Sequence, residues 1–195
     1  VLHRYAGVED IVVGAPASGR HYEEVSQLLG CFSNTLALRT DLSGDPTFAE
    51  LLGRVKQTTM EAQIFQELPF EKVVEALNPE RAQSYSPVFQ VLLGYDVAPA
   101  QPPQLAGQAL ERLPIPGWEW SRFDLSIILR DIDDGALRGD LEYTTDLFDA
   151  ATIERFIGHY RTLLEGVLRD PEQRLSALPI LTEAERRQML VQWND

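Results

Sequence analysis

The spacing of hydrophobic and polar positions changes several times along the chain, and each change marks an element. Residues 10–14, DIVVG, form a short β-branched run closed by Gly14 and Pro16, which predicts a buried strand. A loop with Gly19 and Arg20 follows, with a helical turn expected around 22–28. From 34 to 41 apolar and polar residues alternate, with Leu36 and Leu38 as apolar members, as in a half-buried strand. Ser43-Gly44-Asp45-Pro46 reads as a turn that opens a helix, with Asp45 as N-cap and Pro46 in the first position. Phe48, Leu51, Leu52, Val55 and Ala62 then recur at helical spacing to about Gln66. Pro69 ends that helix and opens a shorter one over 70–77, with Val73, Val74 and Leu77 on one side.

Beyond the polar loop NPERAQSYS, Pro87 leads into VFQVLLGYDV, apolar on both faces and therefore expected to be a central strand. Residues 98–117 are rich in proline and glycine and read as an extended loop with at most one short strand. Two strand-like runs, 123–132 and 136–143, are joined by Asp133-Asp134-Gly135, a hairpin signature. Asp149 caps an amphipathic helix whose stripe is Ile153, Phe156, Ile157, Tyr160, Leu163, Leu164, Val167 and Leu168. Thr182 with Glu185 has the form of a capping box for a last helix reaching about Trp193. The fold class expected is α/β, a mixed central sheet with flanking helices.

One stretch departs from simple burial logic. Leu28 and Leu29 are followed at once by Gly30, Cys31, Ser33, Asn34 and Thr35, so an amide and two hydroxyls stand at the mouth of a core strand. Buried without partners, such groups cost about 1–3 kcal/mol each. Either the fold satisfies them or a ligand meets them.

The 195 residues carry 17 basic and 30 acidic side chains, a formal charge of −13. That balance argues against nucleic acid and against an anionic membrane surface, both of which need a basic face. No apolar run approaches the roughly 20 residues of a membrane span. The single cysteine, Cys31, cannot form an internal disulfide, so a reducing, cytoplasmic setting is expected, with Cys31 as a small buried thiol. The opening VLHRYAGVEDIVVG already has a folded pattern without an initiator methionine and is read as part of a longer chain. His3, His21 and His159 are scattered, with no Cys or carboxylate at metal-ligand spacing, and His159 falls on the polar side of its helix. Each is expected to be a surface or capping histidine. There is no GxSxG, HExxH, CxxC or GxxxxGK, so no metal site and no complete catalytic constellation is legible.

Three segments, in order, resemble one family. LGCFSNTLALR (29–39), FQELPFEKVVEAL (65–77) and PERAQSYSPVFQV (79–91) match the motifs (I/V)GxFxNTLxLR, (H/N)QDxPFExLVExL and PxRdxSxxPLFQV of condensation domains in nonribosomal peptide synthetases. The flanks DIVVGAPASGR, SRFDLSIIL, LEYTTDLFDAATIERF and LTEAERRQMLVQWND agree, so the resemblance covers essentially the whole chain. Departures are Phe65 for His or Asn, Glu67 for Asp, Ser33 for Val or Ile, and Ala82-Gln83 for the Asp after Arg81.

That resemblance implies a two-lobed fold like chloramphenicol acetyltransferase, of which residues 1–180 would be the C-terminal lobe and 181–195 a linker to an adenylation domain. It implies an enzyme that joins an acyl or peptidyl thioester on a donor carrier protein to the amine of an aminoacyl thioester on an acceptor carrier. Both substrates would ride on phosphopantetheine arms in a tunnel, with no cofactor bound directly. The family's catalytic HHxxxDG belongs to the N-terminal lobe and is absent here, so no catalytic residue is assigned. The loop of 15–32 would be the tunnel floor and 98–122 a latch. Gly30, Ser33, Asn34 and Thr35 would face the tunnel, with Asn34 bonded to the floor loop, to a substrate amide, or only to neighbouring backbone. Arg20, Gln66, Pro69, Phe70, Glu71, Arg81 and Pro87 would be scaffold, with Glu71 holding first-turn amides or pairing with Arg20 or Arg81. The partners implied are the N-terminal lobe, the two carrier proteins and the adenylation domain. The alternative is a noncatalytic scaffold or carrier-docking lobe of a degenerate domain; a third reading is another acyltransferase of the superfamily.

Overall fold

A computed structural model describes residues 1–80, 85–97, 104–106, 108–110, 121–132 and 136–193. The elements run α1 (Leu2–Ala6), β1 (Asp10–Ala17), α2 (Glu23–Ser26), β2 (Asn34–Asp41), α3 (Phe48–Ile64), α4 (Phe70–Leu77) and β3 (Val91–Val97). There follow β4 (Gln104–Leu105), β5 (Gln108–Ala109), β6 (Leu125–Ile132), β7 (Ala136–Tyr143), α5 (Ala150–Arg169) and α6 (Glu183–Arg187), the last continued by a π-helical turn, Gln188–Gln192. The main sheet is mixed, in the order β2-β1-β3-β6-β7. β3 pairs in parallel with β1 (Gly14 opposite Leu92) and with β6 (Val91 opposite Leu125), and β6 and β7 form an antiparallel hairpin. The expected α/β class and the central place of the VLLGYDV strand are thus seen. β4 and β5 pair with each other, one short strand more than expected in that loop. The rest of the 98–122 segment, the 133–135 turn and Arg81 lie outside the described residues.

The chain divides into two compact units, one of residues 1–12, 38–66 and 145–195, the other of residues 13–37 and 67–144. In the first, α5 buries Ile153 and Phe156 and packs with Leu178, each under 8% exposed. The stripe is narrower than its periodicity: Leu168, at its end, is 83% exposed. α3 begins one step later than the Asp45-Pro46 reading. Thr47 is the N-cap, in a full capping box with Glu50. Asp45 is unavailable for that role because its carboxylate accepts from the Ser176 amide (2.8 Å) and hydroxyl (2.6 Å). Asp149 caps α5 through the Thr152 amide at 2.6 Å, and Thr182 with Glu185 forms a second capping box at α6, both as expected. In the last turn, Leu190 and Trp193 are 63% and 67% exposed.

The second unit is built around Phe89, the most deeply buried side chain described, at 1% exposure. Its ring lies 5.2 Å from the rings of both Phe70 and Phe123. Gly14 makes room for it: a Cβ there would fall 2.1 Å from the Phe89 ring. The approach of Phe89 is set by an uncommon turn. Val88 has φ of 73°, rare for a β-branched residue, and the Phe89 amide closes the turn on the Pro87 carbonyl at 2.9 Å. On β3, Leu93 and Tyr95 share one face and remain 41% and 57% exposed, so only the opposite face of that strand is well covered.

Candidate functional site

The three sequence motifs meet in the second unit. Asn34, at the first position of β2, donates from Nδ2 to the Leu68 carbonyl (2.7 Å) and accepts the Phe70 amide on Oδ1 (3.1 Å). Phe70 opens α4 directly after Pro69, so its amide is one of the first-turn donors a helix cannot satisfy by itself. One side chain therefore supplies a cap across 36 residues of sequence. Of the three partners expected for Asn34, it is neighbouring backbone that these two bonds reach, in the 67–70 turn. Phe70 in turn packs on Phe89, which joins the second motif to the third.

The loop of 18–33 is organised from its own Arg20. The guanidinium donates to the carbonyls of Val25 (2.6 Å), Leu28 (2.9 Å) and Gly30 (3.0 Å) and stands 4.4 Å from the centre of the Phe32 ring. Arg20 thus holds carbonyls rather than the Glu71 carboxylate suggested by charge alone. Five fixed donors and a flat face suit arginine to this task. The loop's start needs Gly19, whose φ is 65° and whose missing Cβ would otherwise sit 1.9 Å from the Phe32 carbonyl oxygen.

A second tie joins this loop to the turn that Asn34 holds. Glu67 Oε1 accepts from the Tyr22 hydroxyl (2.6 Å) and from His21 Nε2 (2.9 Å), and the His21 and Tyr22 rings lie 4.4 Å apart. The Tyr22 bond first, and the His21 bond next, hold the Glu67 carboxyl below its ordinary range; the same carboxylate pushes the Tyr22 phenol up. His21 and Tyr22 had no signal in the sequence beyond adjacency to Arg20. Glu67 stood out only as the longer replacement for the family's aspartate, and its extra methylene extends the reach of the carboxylate.

The remaining assigned residues fall as follows. Gly30 and Ser33 are exposed, and Thr35 is half-buried in β2. Gln66 is half-buried after α3, its amide donating to the Gln63 carbonyl at 3.3 Å. Glu71 is exposed in the first turn of α4, where its charge complements the helix dipole. Pro87 accepts the Phe89 amide as described. Cys31 is exposed, not buried as expected, because the loop turns outward there and Leu29 beside it is fully solvent-facing. His159 is also a correction: its side chain is only 12% exposed, bonded to Tyr5 and Glu185. Among the described residues no group of His, Cys, Asp and Glu could hold a metal ion, and no helix is long and apolar enough to cross a membrane.

A mixed sheet flanked by helices, bearing a loop fastened by arginine and glutamate rather than a catalytic constellation, defines an α/β lobe of the acyltransferase kind. The sequence model described as "Condensation domain" matches residues 1–190. The chain belongs to the condensation-domain family. It is 48% identical over 197 residues to a part of the linear gramicidin synthase of Brevibacillus parabrevis, a match that takes in 100% of this chain and 2% of that protein. The X-domain in its complex with OxyB from teicoplanin biosynthesis superposes with a TM-score of 0.80 at 33% identity, over 93% of this chain and 40% of that one. The four-domain nonribosomal peptide synthetase AB3403 superposes at 0.83 over 95% of this chain and 15% of its own, with 24% identity. The chain therefore spans a small part of the relatives it matches, and its fold is the chloramphenicol acetyltransferase-like fold of condensation domains.

Proposed function

We propose that this chain is the C-terminal lobe of a condensation domain working inside a larger nonribosomal peptide synthetase. The observation that carries this reading is agreement along the whole chain, from the family match over residues 1–190 to 48% identity with a segment of a peptide synthetase. In the reaction, the amine nitrogen of an aminoacyl thioester on the acceptor carrier attacks the carbonyl carbon of the donor thioester. A C–N bond forms, the C–S bond breaks, and the proton lost by nitrogen ends on the thiol of the donor's phosphopantetheine arm. The proton-transfer histidine belongs to the other lobe. Here His3 engages the Val8 carbonyl, His21 engages Glu67, and His159 is enclosed, so none is presented as a base.

This lobe contributes alignment. Gly30, Ser33, Asn34 and Thr35 stand at the tunnel side, and Arg20 and Glu67 hold the floor loop at a fixed height above the 67–70 turn. Such positioning lowers the barrier by fixing the two thioesters in register. The open face of β3, with Leu93 and Tyr95, suits burial against the N-terminal lobe. The exposed Leu190 and Trp193 suit burial against an adenylation domain. The test is the complete two-lobed domain with two loaded carrier proteins, followed by mass spectrometry of the product. Amide formation that requires the upstream HHxxxDG supports the reading, and the 195-residue chain alone is expected to add nothing to the uncatalysed rate.

A second reading is a noncatalytic docking lobe, favoured by the likeness to the X-domain that was solved in complex with OxyB. Absence of product from the complete domain with an intact carrier pair, together with stoichiometric binding of a carrier or another enzyme, would favour it.

A further inference from the structure

His159 lies midway along α5, and both of its ring nitrogens are engaged. Nδ1 meets the Tyr5 hydroxyl of α1 at 2.7 Å. Nε2 meets both carboxylate oxygens of Glu185, on α6, at 3.0 Å. That carboxylate also accepts the Thr182 amide (2.8 Å) and hydroxyl (2.6 Å), the bonds that start α6. Burial works to raise the Glu185 carboxyl, but the bonds from Thr182 and His159 outweigh it and hold it ionised below its ordinary range.

The chemistry fixes the direction of every bond. An ionised carboxylate only accepts, so Nε2 must carry the hydrogen that faces Glu185. In the neutral ring Nδ1 is then an acceptor, and the Tyr5 hydroxyl donates to it. A single tautomer satisfies all three groups. The Tyr5 hydroxyl selects that tautomer, since the other would turn a nitrogen lone pair towards the carboxylate. Tyr5 is itself seated edge-on against Phe156 at 5.5 Å, and Arg155 and Glu185 are the charges that act on it.

We infer that His159 couples α1 to α6: the seating of Tyr5 sets the imidazole tautomer, and the tautomer sets how firmly the α6 cap is held. Two stretches separated by about 180 residues are thereby linked through one ring, with Tyr5 reaching it from one side and Glu185 from the other. A change in the position of α1 is felt as a change in the order of the closing segment.

Hydrogen exchange on the full 195-residue chain at mildly alkaline pH tests this, with Tyr5→Phe as the probe. Amides of 183–192 are expected to exchange about three- to tenfold faster, the size of one net hydrogen bond, while β3 and β6 keep their rates. Nitrogen-15 shifts of His159 are expected to show the Nε2–H form in the wild type and a mixture in Tyr5→Phe. His159→Phe, which keeps a ring but no nitrogens, should loosen α6 by itself, and adding Tyr5→Phe to it should then change nothing more. Unchanged α6 exchange in Tyr5→Phe, an Nδ1–H ring in the wild type, or an equal further rise in the double variant would each overturn the inference.

Discussion

The side-chain amide of Asn34 and the backbone amide of Phe70 lie 3.1 Å apart, and through that bond the first strand motif caps the first turn of α4. The opposite end of the same amide holds the Leu68 carbonyl at 2.7 Å. Asn34→Ala removes both partners and should cost about 1–3 kcal/mol in a denaturant titration. Asn34→Asp is the sharper probe, since a carboxylate still accepts from Phe70 but repels the Leu68 carbonyl. It should be destabilised at neutral pH and recover part of the loss when the new carboxyl is protonated; equal stability at both would show that the donor half is idle.

Arg20 should be irreplaceable by lysine. A single ammonium cannot reach three carbonyls and also lie flat on Phe32. Arg20→Lys is expected to leave the global denaturation midpoint nearly unchanged while limited proteolysis opens the 20–32 loop, because that loop contributes few buried side chains. Protease resistance equal to the wild type would count against the arginine as organiser.

Gly14 and Phe89 should show strong coupling. Gly14→Ala drives a methyl into the Phe89 ring, 2.1 Å away, and overpacking of this kind costs about 1–3 kcal/mol. Phe89→Leu creates space instead. The double variant should be more stable than the sum of the two losses predicts, by calorimetry or denaturant titration. Simple additivity would mean that the ring moves aside freely.

Acid should loosen the first unit through its aspartate anchors. The Ser176 hydroxyl and amide hold the Asp45 carboxyl below its ordinary value of 3.8, and the Thr152 amide does the same for Asp149. A carboxyl whose folded pKa is depressed stabilises the fold above its unfolded pKa, and that contribution is lost as pH falls through the folded value. The denaturation midpoint should therefore hold near neutrality and decline below pH about 4. Asp45→Asn should show a smaller decline than the wild type, and an identical decline would remove Asp45 from the account.

What the chain determined by itself are the features that act within a turn or two. Pro69 before Phe70, Asp149 before α5 and the Thr182–Glu185 box each place a helix start from local geometry, and all three are found where they were expected. The apolar run VLLGYDV likewise predicts a central strand, because burial on two sides leaves no polar alternation. Motif order carried the family. The site's connections were decided by distance in space. Asn34 reaches 36 residues ahead, and Glu67 meets His21 and Tyr22 about 45 residues back. Asp45 had the local credentials of an N-cap, yet Ser176, 131 residues away, takes its carboxylate, so Thr47 caps α3 instead. His159 looked like a polar-face residue by helical spacing until α1 and α6 closed over it. A side chain with one strong acceptor or donor binds whichever partner the packing brings nearest, and helical period and capping rules contain no information about segments more than a few turns away.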